Sequence, residues 1–394
     1  MEKATREQTK FHNTQLVLKT IYRQGETHRA DIARLTHLTR TTVSDIVTEL
    51  LQEGLLLETG LGESAGGKPP TLIKFEENAR QLICVELGKR EVCGAVINLR
   101  GQICHTESIC GDDLDGRQTV ELLYELIDRL LKEAKAPIIG IGVAVPGLMD
   151  IENGMVRRSV QLDWVNVPLR NLLEKHYSFP IYLINDSHAA ALAEYTYGEL
   201  RQSPNLIVVR IVEGIGAGIL LSGQLHLGDG YGAGEIGHLT VVEGGRQCTC
   251  GNYGCLETVA SPRAVVQRTR ELAEYAMVPY VKDAGLPLGE IDWDVIRRAF
   301  ETGDETVVEL IKTAGSYLGI SIANLVSILN VHRIVISGSY GEFGDAFLNA
   351  VSAEVKRRSL INALETQIVN SSLDPDIILL GVSALVLSKE MGLP

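Results

Sequence analysis

The sequence predicts an α/β chain of two lobes preceded by a winged helix-turn-helix, and three observations carry that prediction. Residues 1–77 hold three short helical patterns, then two strand patterns around a loop rich in Gly, Ser and Pro. From residue 78 to 394 apolar strands alternate with helices. That alternation passes through two similar cycles, each opening on antiparallel strands and a glycine turn. A length of 394 residues also exceeds one ordinary core, so more than one domain is expected.

The first module is read element by element. In residues 11–24, Phe11, Leu16, Leu18, Ile21 and Tyr22 recur at helical spacing, and Gly25 ends the run. A second helix is expected around Arg29 to Leu35, with Ile32 and Ala33 inward, then a turn over Thr36 to Leu38. The Thr39 hydroxyl caps a third helix that runs to Glu53, striped by Val43, Ile46, Val47, Leu50 and Leu51. Gly54 stops it. Residues 55–58 and 72–75 read as a strand and its return, with the wing and linker over 58–71. In such a module the third helix enters the major groove of double-stranded DNA. Its exposed N-terminal face offers Arg40, Thr41, Thr42, Ser44 and Asp45, side chains suited to base edges and phosphates. Lys68, within Gly66-Gly67-Lys68-Pro69-Pro70, could lie in a minor groove. The competing reading is a three-helix protein-interaction module with an inert linker.

The second part opens with strands at 82–87 and 92–99, and a hairpin turn at Gly101-Gln102 leads into a third. Residues 117–135 form an amphipathic helix. A strand at 138–145 ends at Pro146-Gly147, and another at 181–184 ends at Asn185-Asp186. Ser187 opens an Ala-rich helix to Glu199. The second cycle has strands at 205–212 and 215–222 around a glycine turn, helices over 304–329, a strand at 333–337 and a turn from Gly338 to Gly341.

Composition excludes some classes. The chain is 45% hydrophobic and 22% charged, with no apolar run of the roughly 20 residues that span a bilayer. Met1 to Lys10 lacks the apolar core of a secretory signal, so a cytoplasmic protein is expected. Net charge is −13, yet residues 1–80 hold 11 basic and 11 acidic side chains, so the whole deficit lies beyond them. A neutral first module on an acidic body fits DNA contact by that module alone.

Seven cysteines divide into two kinds. Cys84, Cys93, Cys104 and Cys110 are scattered among apolar residues and read as buried free thiols. Cys248, Cys250 and Cys255 fall within eight residues, downstream of His238. Three thiolates and one imidazole make a closed tetrahedral site for one structural Zn²⁺, in a zinc loop over 238–255; the alternative is three unligated thiols. Asn185-Asp186, at a strand end before a helix, can hold adjacent sugar hydroxyls or simply cap the helix. The Asp186 carboxylate could also serve as a general base. Glu235 lies three residues before His238, whose second ring nitrogen could face a ligand. With Glu257 these residues make an acceptor-rich polyol site. The turn from Gly214 to Gly218 could cradle a phosphate, although such turns are common between strands.

Together these strings resemble the ROK family of repressors, open reading frames and kinases, over nearly the whole chain. The resemblance rests on Ile211 through Gly214-Ile215-Gly216-Ala217-Gly218, Gly228, Gly234 and Gly237-His238, and on the cysteine string through Gly251, Gly254 and Leu256-Glu257. Val145-Pro146-Gly147, Asp163-Trp164 and Asn185-Asp186 are also similar. It implies an actin-like (ribonuclease H-like) two-lobed sugar-kinase fold, with Asn185, Asp186, Glu235, His238 and Glu257 as sugar contacts. Asp186 stands where the kinases keep their catalytic base. The departures all concern nucleotide. Glu86-Leu87-Gly88-Lys89-Arg90 replaces an Asp-x-Gly-x-Thr turn, Glu213 replaces a Thr, and Ser337-Gly338-Ser339 replaces a glycine-richer turn.

The resemblance therefore implies a sugar-responsive DNA-binding repressor, closest to the xylose-repressor and N-acetylglucosamine-repressor branch, with phosphotransfer lost and Asp186 a vestigial base. The expected partners are operator DNA, a monosaccharide effector and further copies of the chain in a homodimer or tetramer, with no membrane. The alternative is an ATP-dependent sugar kinase with a fused DNA-binding domain.

Overall fold

The computed structural model describes residues 5–63, 69–111, 116–201, 203–358 and 366–393. Lys68, with the neighbouring Gly66 and Gly67, lies outside these residues. Contacts divide the chain into two compact units, one of residues 1–184 with 382–394, the other of residues 185–381.

The first unit opens with α1 (Arg6–Gln24), β1 (Thr27–His28), α2 (Arg29–Thr36), α3 (Arg40–Gln52), β2 (Leu56–Leu61) and β3 (Thr71–Phe75). Helix α1 starts earlier than the apolar stripe suggests because Thr5 and Gln8 form a reciprocal cap. The Gln8 amide donates to Thr5 Oγ1 at 3.2 Å, and the Thr5 amide donates to Gln8 Oε1 at 2.9 Å. Thr39 caps α3 as expected, its Oγ1 accepting from the Thr42 amide at 3.2 Å. Val17, Ile21, Ile32, Val43, Val47, Ile73 and Phe75 close the small core. The strands β2 and β3 pair antiparallel, and β1, absent from the sequence reading, lies on the far side of β3.

The same unit continues with β4 (Gln81–Leu87), β5 (Glu91–Asn98), β6 (Ile103–Cys110), α4 (Gly116–Glu133), β7 (Ile138–Val145), β8 (Leu148–Asp150), β9 (Met155–Ser159), β10 (Trp164–Val167), α5 (Leu169–Glu174) and β11 (Ile181–Asn185). Its main sheet has the order β11-β7-β4-β5-β6. An antiparallel meander of β4, β5 and β6 is extended by β7, parallel to β4. Helix α4 buries Leu123, Leu126, Ile127 and Leu130 against it. The strands β8 to β10 form a separate small sheet.

The second unit holds α6 (Asp186–Tyr197), β12 (Leu206–Ile211), β13 (Ile215–Leu221), β14 (Gln224–Leu225), α7 (Glu257–Ala260), α8 (Pro262–Glu274), α9 (Pro279–Ala284), α10 (Trp293–Glu301), α11 (Glu305–Leu329), β15 (Arg333–Gly338), α12 (Gly344–Arg358) and β16 (Gln367–Asn370). Helix α13 (Ile377–Met391) begins in it and ends in the first unit. The sheet order β14-β13-β12-β15-β16 repeats that of the first unit, with a three-stranded antiparallel meander and then two parallel additions. The two cycles read in the sequence are thus two copies of one strand order, the pattern of the actin-like fold.

The winged module, residues 1–77 of the sequence reading, is tied to the sheet that follows it. Arg80 Nη2 donates to the Glu53 carbonyl at 3.0 Å, and the Leu99 amide donates to the Glu77 carbonyl at 3.0 Å. The Arg100 guanidinium, from the β5–β6 turn, lies 3.9 Å from the centre of the Tyr22 ring and 5.5 Å from that of Phe75. Tyr22 and Phe75 are themselves edge-packed with centres 5.2 Å apart. Replacement Arg100→Ala should cost about 0.5–2 kcal/mol, the range of a cation–π contact. A lower urea midpoint at unchanged slope checks this.

Candidate functional site

The metal-ligating tetrad is built by backbone turns rather than by regular elements. His238 ends a 3₁₀ turn (Ile236–His238), and the cysteines follow in a loop held by isolated antiparallel bridges, Thr240 to Cys255 and Gln247 to Tyr253. The Cys248 amide donates to the Asn252 carbonyl at 2.7 Å, and the Gly254 amide to the Arg246 carbonyl at 2.8 Å. Gly254 has a φ of 69°, and a Cβ there would lie 1.7 Å from the Val242 carbonyl oxygen, so only glycine fits.

The ligand atoms of His238, Cys248, Cys250 and Cys255 all lie within 4.8 Å of one another. Cys250 Sγ is 3.7 Å from Cys255 Sγ, and Cys248 Sγ is 3.6 Å from His238 Nδ1. A tetrahedral zinc site with ordinary bond lengths has edges of about 3.8 Å between sulfurs and about 3.6 Å between sulfur and nitrogen. Those two edges match that metal in distance, and the donor set matches it in kind. Burial pushes the Cys255 thiol up to about 12, with the neighbouring sulfurs adding, while the Asn252 backbone pulls Cys250 down. A cation is what would let all three be thiolates together. A metal bound at His238 Nδ1 would leave Nε2 as the ring's N–H. It points toward Glu235, with Oε2 at 3.9 Å.

The acceptor groups gather at the start of α6 and around the glycine turn. Asn185 caps α6, its Oδ1 accepting from the Ser187 amide at 2.9 Å and the His188 amide at 3.2 Å. The capping alternative is thus realised. Asp186 Oδ1 accepts from the Ser187 amide at 2.8 Å, while Oδ2 faces Arg210 Nε at 3.7 Å. Glu257 Oε1 accepts from the Ile215 amide at 2.9 Å. Its surroundings leave no room for side chains: a Cβ on Gly214 would lie 2.5 Å from Oε1, and one on Gly237 would lie 2.8 Å from Cγ.

That bond revises the phosphate-cradle reading of the turn, because its Ile215 amide already serves a carboxylate of the chain. Gly216 and Gly218 have a packing reason as well. A Cβ on them would lie 2.4 Å from Ser187 Oγ and 2.3 Å from the Ser187 carbonyl oxygen, so both glycines seat α6 on the sheet. The Glu235 carboxyl is held above its ordinary range by partial burial, with Asp186 and Glu257 adding and His238 opposing. Half of its side chain remains open to water, which screens the effect.

Two functional neighbours escaped the sequence reading. Arg210, opposite Gly216 on β12, partners Asp186; the available signal was a lone cation inside the apolar run Leu206–Ile211. His188, one turn into α6, is buried and binds the Ala233 carbonyl. On the winged module, Arg40 and Thr41 are exposed at the first turn of α3, and Thr42 and Ser44 are half-buried. The Thr42 hydroxyl lies 2.8 Å from that of Thr39.

Comparison with known proteins places this geometry among relatives. A model described as "ROK family" matches residues 82–389. The chain is 33% identical over 392 residues to the xylose repressor of Caldicellulosiruptor bescii, covering 97% of each. It is similar to a crystal structure of a ROK family transcriptional regulator, a homolog of the E. coli MLC protein, at a TM-score of 0.85 and 27% identity, covering 98% of both chains. The ROK hexokinase of Thermus thermophilus is similar at a TM-score of 0.61 and 26% identity, over 77% of this chain and 97% of its own.

Replacing one ligand by Cys250→Ser should lower bound zinc below one per chain, and acidification should release it from the unmodified chain as the thiolates take protons. Metal analysis after dialysis across a pH series reads both; full zinc content in the variant refutes the ligand set.

Proposed function

The chain belongs to the ROK family, and from that premise we propose that it is a sugar-responsive transcriptional repressor of carbohydrate-utilisation genes. One observation carries the reading. A winged module with Arg40 and Thr41 exposed at the start of its third helix shares a chain with a unit that gathers Asp186, Glu235, His238 and Glu257. The alignments point the same way. The hexokinase is matched over nearly its full length yet leaves about a quarter of this chain uncovered, and the family model begins at residue 82, after the winged module.

In this reading α3 lies in the major groove of operator DNA, with Arg40, Thr41, Thr42 and Ser44 toward the bases and Lys68 of the wing toward the minor groove. Asn185, Asp186, Glu235, His238 and Glu257 meet the hydroxyls of a monosaccharide. Zinc, held by His238, Cys248, Cys250 and Cys255, keeps His238 and Glu257 in place. The working unit is a homodimer or tetramer, since a two-fold protein matches a palindromic operator, and it works in the cytoplasm. The effector releases DNA by binding the DNA-incompetent state better, by about 1–3 kcal/mol of coupling. Xylose is the first sugar to test, because the relative from Caldicellulosiruptor bescii is a xylose repressor.

The second reading, a sugar kinase with a fused DNA-binding domain, has Asp186 in its favour. Against it stand carboxylates at the glycine turns. Glu257 takes the Ile215 amide, and Asp374 accepts from the Gly338 amide at 2.9 Å and from Ser337 Oγ at 2.8 Å. Glu213 adds a further acid beside the first turn. A triphosphate would meet like charge at both.

Gel shift of the promoter beside its own gene, with and without sugars, tests the repressor reading. Arg40→Ala should weaken specific binding by about 1–3 kcal/mol, and a sugar at 100 times its Kd should add about 2.7 kcal/mol of stability. Turnover with ATP and Mg²⁺ above about 1 per second, ordinary for kinases, together with indifference to DNA would overturn it. No helix among the described residues is long and apolar enough to cross a membrane.

A further inference from the structure

The Ala-rich helix α6 buries one polar ring. His188 is 3% exposed, and its Nε2 lies 3.2 Å from the Ala233 carbonyl oxygen. A carbonyl only accepts, so Nε2 carries the hydrogen and Nδ1 is an acceptor. Nδ1 is buried with no hydrogen-bond partner among the described residues. A ring with one bond made and one unmade is a poor device for stability alone, since an apolar side chain of similar size would remove the unmet Nδ1 and cost only the bond to the half-buried Ala233 carbonyl.

What the bond holds is the segment that carries Glu235. The stretch from Gly228 to Glu235 has only one short 3₁₀ turn, Asp229–Tyr231. Its backbone ties include the Tyr231 amide to the Gly228 carbonyl at 3.4 Å, the Ala233 amide to the Leu227 carbonyl at 3.1 Å, and the Ala217 amide to the Gly234 carbonyl at 2.8 Å. These fix the segment to β13 and to itself. His188 fixes it to α6, two residues beyond Asp186. Gly234, at a φ of 96° with the Ala217 carbonyl oxygen 1.8 Å from where a Cβ would stand, makes the bend that brings Glu235 back toward that helix.

We infer that His188 is a positioning residue for effector recognition: through Ala233 it sets the separation between the Glu235 and Asp186 carboxylates. The inference rests on the sugar-binding reading of those two residues. A loose segment would let like-charged carboxylates drift apart, and each sugar contact would then have to order the loop before forming.

Three variants of the full chain test it. H188Q keeps a donor at nearly the reach of Nε2, H188N keeps the donor but falls short, and H188L removes it. Two readouts are taken: amide hydrogen exchange over residues 228–238 without sugar, and calorimetric affinity for whichever of xylose, glucose and N-acetylglucosamine binds the unmodified chain. H188L and H188N should speed exchange at residues 233–236 and weaken sugar binding by at least about tenfold. H188Q should lie within about threefold of the unmodified chain on both. Unchanged exchange in H188L, or sugar affinity in H188L within threefold, or H188Q as impaired as H188L, overturns the assignment. An unmodified chain that binds none of the three sugars defeats the sugar reading instead, and the exchange arm then decides whether His188 holds the segment.

Discussion

The hydrogen bond from the Ile215 amide to Glu257 Oε1 joins every part of the second unit's chemistry. Glu257 stands two residues past Cys255, the last metal-ligating residue. Its stem packs under Gly237, the residue before the ligand His238, and its carboxylate under Gly214, which opens the glycine turn. Three stretches distant in sequence are therefore gathered on one side chain. Because His238 and Glu257 bracket the tetrad, an ion that draws the four ligands together also sets where these two groups stand. A metal held there would be structural in a specific sense: it would supply the rigidity that a loop without helix or sheet cannot supply from its own backbone.

A second constraint acts from the opposite side. Helix α6 lies so close to β13 that Gly216 and Gly218 have no space for side chains, and this contact delivers Asn185 and Asp186 to the end of the sheet. Close seating concentrates acids. Asp186, Glu235 and Glu257 lie near one another, and Arg210 and His238 oppose them at short range. Such a site favours a neutral polyol, whose hydroxyls donate to carboxylates, over an anion that would need cations in excess. The same reasoning separates effector from nucleotide. A triphosphate brought to the two glycine turns would meet Glu257 and Glu213 at one and Asp374 at the other, and of these only Glu257 belongs to the acceptor group.

The features legible in the sequence are those whose chemistry leaves little choice. Three cysteines and a histidine at close spacing have few uses, and the tetrad falls together in space. Apolar strands and the cap at Thr39 were equally plain, because periodicity and capping are local, whereas capping at Asn185-Asp186 stood only as an alternative to sugar binding. The hidden elements lacked local contrast. Helix α13 is apolar almost all round, with Gly381 pressed on the Ala189 carbonyl, so no amphipathic period marks it. The strands β8 to β10 are three to five residues long and depend on left-handed conformations at Asp163 and Asn166, which no pattern announces. The glycine turn was legible as glycine but not as to cause, since close packing and phosphate binding ask for the same residue. Arg210 and His188 were missed because a single polar residue in an apolar stretch acquires meaning only from partners that folding brings to it.

The connections between the units bear on how an effector could act on DNA. The chain passes from the first unit to the second at 184/185 and returns at 381/382. The first crossing falls immediately before Asn185-Asp186, at the strand end that presents them. The second falls inside α13, whose far end packs Gly392 against the Gln15 side chain of α1. Within the first unit Arg80 and Arg100 bind the winged module to the β4–β6 meander, so that module does not swing on a slack linker. On the proposed reading, a sugar held at Asp186 and Glu235 would have two covalent routes to the first unit, one starting beside its own contacts and one ending on the winged module. A tethered module that is stiffly mounted can be displaced only together with its mount. The coupling between effector and operator must therefore be sought in the two crossings and in the mount, and not in residues 58–71.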